Sequence, residues 1–224
     1  MTAIHEYIDH TLLKAEATKE QIEQLCKEAS EHHFATVCVN PFYVPICVDL
    51  LKDTGVKVCT VVGFPLGANK LSIKRLEAEQ AIEDGAEEID YVLNISAVKN
   101  KDFLFVKEEM EALARLKEER PDVVVKCIFE VCYLTPAEIE ELSILAKEVG
   151  LDFIKTSTGF GSGGATLEAV QLMVENSGEH VRVKASGGIR TRDQFQKYKE
   201  LGVSRVGTSN GIAIISGTAG VQSY

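Results

Sequence analysis

Apolar, β-branched runs recur eight times along this chain, with amphipathic helical stretches between them. The candidate strands occupy residues 7–13, 35–40, 57–63, 88–94, 123–131, 152–157, 181–186 and 204–208. Such runs, bounded by turn residues, read as strands. The intervening stretches carry helix boundaries. Thr18 and Gln21 have the spacing of a capping box ahead of IEQLCKEA. Pro136 follows Thr135 at the head of a helix that Gly150 ends. Residues 69–84 form a helix closed by Gly85, and residues 102–119 form another halted by Pro121.

Eight such units in 224 residues leave about 28 residues apiece, close to the roughly 30 that a βα unit needs. The predicted fold class is therefore α/β, a (β/α)8 TIM barrel at the small end of its range. Residues 1–224 are expected to form one barrel domain with a short C-terminal tail. The rival is a doubly wound open sheet, which has fewer strands and a nucleotide fingerprint after the first. Gly159, Gly161 and Gly164 do satisfy G-x-G-x-x-G. They follow the sixth strand, however, and the next strand ends in Lys184-Ala185-Ser186-Gly187, without the acid that would hold a ribose. Dinucleotide binding is not expected.

Composition narrows the functional classes. A hydrophobic fraction of 45% and a charged fraction of 26% exclude disordered and collagen-like chains. With 34 acidic against 24 basic residues, the net charge of −10 disfavours a broad nucleic-acid surface. No apolar run is long enough for a membrane span, and MTAIHEYIDH has no secretory character. The cysteines, Cys26, Cys38, Cys47, Cys59, Cys127 and Cys132, contain no C-x-x-C pair and no Cys/His zinc spacing. Reduced, mostly buried thiols in a cytoplasmic protein are expected, with no metal and no cofactor.

If the fold is a barrel, its chemistry lies at the C-terminal strand ends. Two strands carry polar residues where apolar ones belong. Lys155 lies within Asp152-Phe153-Ile154-Lys155-Thr156-Ser157, and Lys184 within Val181-Arg182-Val183-Lys184-Ala185-Ser186. One βα unit separates them, so they occupy matched heights on adjacent strands. Burying an ammonium group is costly unless it is paired or neutralised. Two ammonium groups close together lower each other's pKa, and desolvation acts the same way. A neutral lysine amine is a nucleophile of the Schiff-base kind. The competing reading has each lysine reaching water or pairing with a carboxylate. Lys126, a third strand lysine, reads as structural or as support for the other two. Asp90 and Asp9 sit inside the fourth and first strands, where each could hold an ion pair or relay a proton. His10 reads as a packed or rim residue.

Three consecutive strand ends then run into glycine and small hydroxyl residues: Thr156-Ser157-Thr158-Gly159, Ser186-Gly187-Gly188-Ile189-Arg190 and Gly207-Thr208-Ser209-Asn210-Gly211. Glycine lets backbone N–H groups approach an anion closely. Loops after the seventh and eighth strands of such barrels often hold phosphate, and Arg190 adds charge. Tight turns closing a compact barrel are the alternative.

The runs IDHTLL (8–13), VCVNP (37–41), KVCTVVGFPLG (57–67), EIDYVLN (88–94), KTSTGF (155–160), KASGGIR (184–190) and GTSNG (207–211) resemble the deoxyribose-phosphate aldolase family, in order and over nearly the whole chain. The resemblance implies a class I, metal-free aldolase that reversibly cleaves 2-deoxy-D-ribose 5-phosphate to acetaldehyde and D-glyceraldehyde 3-phosphate. By position it implies Lys155 as the Schiff-base nucleophile, Lys184 as the neighbour that lowers its pKa, and Asp90 in proton transfer. Asp9 and Thr11 would lie near the sugar hydroxyls, and Thr158 would also contact substrate. Gly159, Gly187, Gly188, Arg190, Gly207, Ser209 and Asn210 would hold the phosphate. Tyr224, at the end of the tail, would assist proton transfer. The implied partners are small phosphosugars and aldehydes, with a homodimer as the expected assembly. The sequence leaves two rivals: another Schiff-base barrel, such as a transaldolase or ketose-bisphosphate aldolase, and a non-catalytic phosphosugar-binding barrel.

Overall fold

The computed structural model describes residues 3–218. Its strands are β1 (Ile8–Leu12), β2 (Thr36–Val39), β3 (Lys57–Val62), β4 (Glu88–Val92), β5 (Val124–Ile128), β6 (Phe153–Lys155), β7 (Arg182–Ser186) and β8 (Arg205–Thr208). All pair in parallel with their sequence neighbours, and β8 returns to β1, giving a closed (β/α)8 barrel. No described helix is long and apolar enough to cross a membrane.

The helices start and stop where local chemistry dictates. The Thr18 hydroxyl accepts from the Gln21 N–H, and the Gln21 side chain accepts from the Thr18 N–H at 2.9 Å, opening the helix Lys19–His32. The helix Pro136–Val149 repeats this box with Thr135 and Glu138, and ends on Gly150 at φ 77°. That left-handed conformation suits glycine because no Cβ crowds the following carbonyl.

Two expected helices are shorter than their periodicity suggests. Asp102 lies outside its helix and caps it, accepting from the Phe105 N–H at 3.2 Å, and the 102–119 segment divides into Phe103–Ala114 and Leu116–Glu119. The 69–84 segment becomes helical only from Leu71. The long 123–131 run is β-paired only over Val124–Ile128, because Glu130 turns left-handed at φ 57° and starts a turn of 3-10 helix. The 152–157 run likewise pairs only over Phe153–Lys155.

Strand side chains alternate between two environments. Ile8, Val37, Val58, Ile89, Val125, Ile154, Val183 and Val206 belong to the large apolar core shared with the helices. Their immediate neighbours Asp9, Asp90, Lys126, Lys155, Lys184 and Arg205 meet one another instead. The usual barrel interior is layered with Val, Ile and Leu; this one carries charge. A small apolar cluster of Leu13, Cys38, Cys59 and Val61 accompanies it. All six cysteines are unpaired, and Cys132 alone among them is not buried.

One buried ion pair lies on the helix side of the barrel and has no counterpart in the sequence reading. The Lys74 ammonium donates to the Val92 carbonyl and to Glu109 Oε1, each at 2.7 Å, while Glu109 Oε2 accepts from the Asn94 N–H at 2.7 Å. Both side chains are fully buried. They fix the end of β4 against the helices that follow β3 and β4. Removing one partner leaves an uncompensated charge in the core. Lys74→Met is therefore expected to lower the unfolding free energy by about 3–5 kcal/mol, measured by urea denaturation, while Lys74→Met/Glu109→Leu recovers most of that loss.

Candidate active site

The β6–β7 register places Lys155 directly opposite Lys184, as the matched spacing requires. Both ammonium groups converge on one carboxylate oxygen. Asp90 Oδ2 lies 2.8 Å from Lys155 Nζ and 2.7 Å from Lys184 Nζ. The other oxygen, Asp90 Oδ1, accepts from Lys126 Nζ at 2.8 Å. Asp90 is wholly buried. Burial alone would push its carboxyl upward, but Lys126, Lys155 and Lys184 outweigh that and hold it well below the ordinary aspartate value. Burial would likewise strip the proton from Lys184, but Asp9 and Asp90 keep this lysine charged, its pKa well above the usual lysine value.

The two lysines differ in exposure to the cavity. Lys155 lines an open cavity at the C-terminal strand ends, whereas Lys184, Asp90, Asp9 and Lys126 lie beneath it. The same cavity is lined by Thr11, Thr158, Gly159, Gly187, Gly188, Arg190, Gly207, Ser209 and Asn210. Three glycine loops separated in sequence thus meet around one space, with Lys155 at its edge.

Backbone proximity explains two of the glycines. A Cβ on Gly164 would sit 2.2 Å from the Gly187 carbonyl oxygen, so the loops after β6 and β7 touch main chain to main chain. A Cβ on Gly207 would press to 3.1 Å from the Lys184 Cε, so this glycine leaves room for the buried lysine. Hydroxyls tie the loops down: Thr156 Oγ1 donates to the Ser186 carbonyl at 3.0 Å, Ser186 Oγ to Ser157 at 2.6 Å, and Thr208 Oγ1 to Ile189 at 2.7 Å.

Asp9 is placed differently from the sequence expectation. It is fully buried, contacts Lys184 and Arg205, and does not line the cavity. Burial raises its carboxyl, and the Arg205, Lys184 and Lys126 cations more than reverse that, leaving it well below its usual range. Lys126 is locked between Glu88 at 2.5 Å and Asp90 at 2.8 Å, in keeping with a supporting role. His10, read as a packed or rim residue, is buried, and its Nε2 lies 2.7 Å from Glu28 Oε2. Tyr224 lies outside the described residues.

Three participants escaped sequence reasoning. Glu88 and Arg205 are inward-facing partners of Lys126 and Asp9. Glu88 precedes Asp90 by two residues, so period-two counting from Asp90 would have found it. Glu130 receives the Thr158 hydroxyl and N–H, and burial pushes its carboxyl up. Its only sequence signal is an acid at the end of a strand run.

Cys38, Cys59 and Asp90 bring their ligand atoms within 4.8 Å of one another. The donor set does not suit a divalent cation. Burial pushes the Cys59 thiol well up, whereas metal ligation needs thiolate. Three ammonium groups already face the Asp90 carboxylate.

A closed parallel barrel with a lysine at a cavity of glycine loops is an arrangement suited to carbonyl chemistry. The family model described as DeoC/LacD family aldolase matches residues 3–218. A deoxyribose-phosphate aldolase from a Thermoanaerobacter species is 52% identical over 212 residues, covering 95% of each chain. One from Carboxydothermus hydrogenoformans is 51% identical over 224 residues, covering 100% of this chain and 98% of its own. The solved tetrameric deoxyribose phosphate aldolase from Aeropyrum pernix superposes with a TM-score of 0.87 at 31% identity, covering 95% of this chain and 89% of that one. The chain belongs to the DeoC/LacD aldolase family, and aldolases are lyases.

The depressed Asp9 and Asp90 carboxyls link this site to stability. Their folded values lie below the ordinary 3.8, so their contribution is complete above about pH 4 and is lost as pH falls below it. Circular dichroism during acid titration should show that loss. Asp90→Asn should lower stability at neutral pH by about 3 kcal/mol or more, by stranding buried cations, and should flatten the acid dependence that remains.

Proposed function

We propose that this protein is a class I aldolase that reversibly cleaves 2-deoxy-D-ribose 5-phosphate to acetaldehyde and D-glyceraldehyde 3-phosphate through a Schiff base on Lys155. One observation carries the reading: of the lysines gathered on Asp90, Lys155 alone lines the cavity. The relatives' names supply the substrate, and the glycine loops with Arg190 suit its phosphate.

In the synthetic direction, the neutral Lys155 amine attacks the acetaldehyde carbonyl to form a carbinolamine. Loss of water gives an iminium, which withdraws electrons from the adjacent methyl group. Removal of a methyl proton yields an enamine, whose carbon attacks the aldehyde of glyceraldehyde 3-phosphate. Water then releases the product and restores the amine. Lys184, held charged against Asp9 and Asp90, sets a positive charge opposite the Lys155 amine. Asp90 touches the Lys155 amine and serves as the relay for the methyl proton. Gly159, Gly187, Gly188, Gly207, Ser209, Asn210 and Arg190 anchor the phosphate away from the reacting carbon, so binding energy orients the two aldehydes. Thr11 and Thr158 contact the rest of the substrate, with Thr158 held by Glu130. Residues 1–224 act as one catalytic domain in this reading, with Tyr224 assisting proton transfer from the tail.

Acetaldehyde with borohydride is expected to leave an ethyl adduct on Lys155, located by peptide mass. Lys155→Ala abolishes it. Lys184→Ala slows trapping at neutral pH by about 10²–10⁴-fold, with recovery at higher pH. An adduct elsewhere, or a preference for dihydroxyacetone phosphate as donor, contradicts the assignment. Arg190→Ala should raise the KM for the phosphorylated aldehyde about tenfold, the worth of one charge-assisted hydrogen bond, while leaving the acetaldehyde trapping rate unchanged.

A further inference from the structure

Five buried charges and the part-buried Arg205 form a closed circuit. Arg205 contacts Asp9 and Glu88. From Asp9 the circuit passes to Lys184, then to Asp90, to Lys126 and to Glu88, which returns it to Arg205. Signs alternate all the way round, three cations against three carboxylates. Asp9 Oδ2 and Glu88 Oε2 meet their ammonium partners at ion-pair distance without hydrogen-bond alignment, so charge, not direction, sets these two contacts. The circuit carries no net charge. Lys155 joins at a single point, Asp90 Oδ2, as a seventh member. The Phe153 ring lies beneath, with the Arg205 guanidinium 6.0 Å and Lys126 Nζ 5.9 Å from its centre. In this dry setting the charge count matters more than it would at a wet surface.

We propose that Glu88 and Arg205, neither of which lines the cavity, are a positioning pair for the reaction: by closing the circuit they match every carboxylate to another cation and leave the Lys155 amine as the group free to release its proton. This rests on Lys155 being the nucleophile. Without Glu88 the circuit has a cation too many, and the Lys155 proton is repelled more strongly. Without Arg205 it has a carboxylate too many, and the Lys155 proton is the charge that matches it. A pair that merely packs the barrel floor would disturb Lys155 in the same direction whichever member were lost.

Asp90, the Cys38 thiol and Glu130 after β5 act on Lys155 directly. Asp9, Glu88, Lys126, Lys184, Arg205 and the Cys59 thiol act on it through their contacts with Asp90 or with the circuit. Glu130 is committed to Thr158, and burial pushes both its carboxyl and the Cys59 thiol upward. Cys38 differs: the hydrogen bond with Cys59 lowers its thiol. The test is therefore made in a Cys38→Ala background, which removes that titration.

The readout is reductive methylation of Lys155 by formaldehyde and cyanoborohydride across a pH series, followed by peptide mass. It reports the neutral fraction of the amine whatever the natural substrate. Glu88→Gln should move the labelling midpoint to lower pH by about half a unit or more, roughly threefold in neutral fraction at fixed pH. Arg205→Gln should move it upward by a similar amount, and Glu88→Gln/Arg205→Gln should return it towards the unchanged protein. Thermal unfolding establishes that each variant is folded. If Arg205→Gln does not fold, the upward step from Glu88→Gln to the double variant carries the same sign test. Shifts of equal sign, a double variant displaced further than either single one, or no shift at all would overturn the proposal. Acetaldehyde trapping on the unchanged protein is scored separately. A Lys155 adduct there with unmoved midpoints rejects the circuit and leaves the aldolase reading standing. Opposite midpoint shifts without that adduct support the circuit and reject the aldolase reading.

Discussion

Everything near the cavity depends on one buried carboxylate. Asp90 meets three ammonium groups, from Lys126, Lys155 and Lys184, and each pair would be expensive in isolation. A buried ion survives only when its partners are held close and its remaining contacts are filled. The barrel meets that condition because parallel strands in fixed register carry Asp90, Lys126, Lys155 and Lys184 inward together. Register is thus the constraint and the charge cluster is its result. A slip of one residue on any of these strands would turn a charge towards the apolar layer under the helices.

The same arrangement separates duties between two chemically identical residues. Lys155 and Lys184 share a carboxylate oxygen and lie opposite each other, yet only the first reaches the cavity. Lys184 is further committed to Asp9, which keeps it charged. One lysine therefore faces the cavity while the other stays behind as a fixed positive charge. Around them three loops rich in glycine and small hydroxyl residues line the same cavity.

Much of this was legible in the chain. Eight apolar runs at a βα spacing identified the barrel, and the two strand lysines one unit apart stand opposite each other in it. The strand positions agree with the structure, except that the runs ending at 94, 131 and 157 leave the sheet early. Residues 128–131 remain apolar enough to read as strand, but the left-handed Glu130 ends the pairing. Asp9 was singled out as polar in a buried strand, and it is; its depth relative to the cavity depends on how the strands tilt and close. Glu88 and Arg205 passed unnoticed because a charge at a strand edge usually reaches water, and nothing local says that these two meet each other across the barrel.

The sequence by itself determined the alternation of strands and helices, the inward parity of each charged residue and the matched heights of Lys155 and Lys184, because all three follow from spacing along one chain. Tertiary structure alone decided which charges pair, which lysine faces the cavity and how three separate loops converge on it. Those outcomes need β8 to close against β1 and bring Arg205 to Asp9 and Glu88, contacts between residues 196 and 117 positions apart. Pairing at such separations is set by the geometry of the closed barrel, which no local pattern of residues encodes.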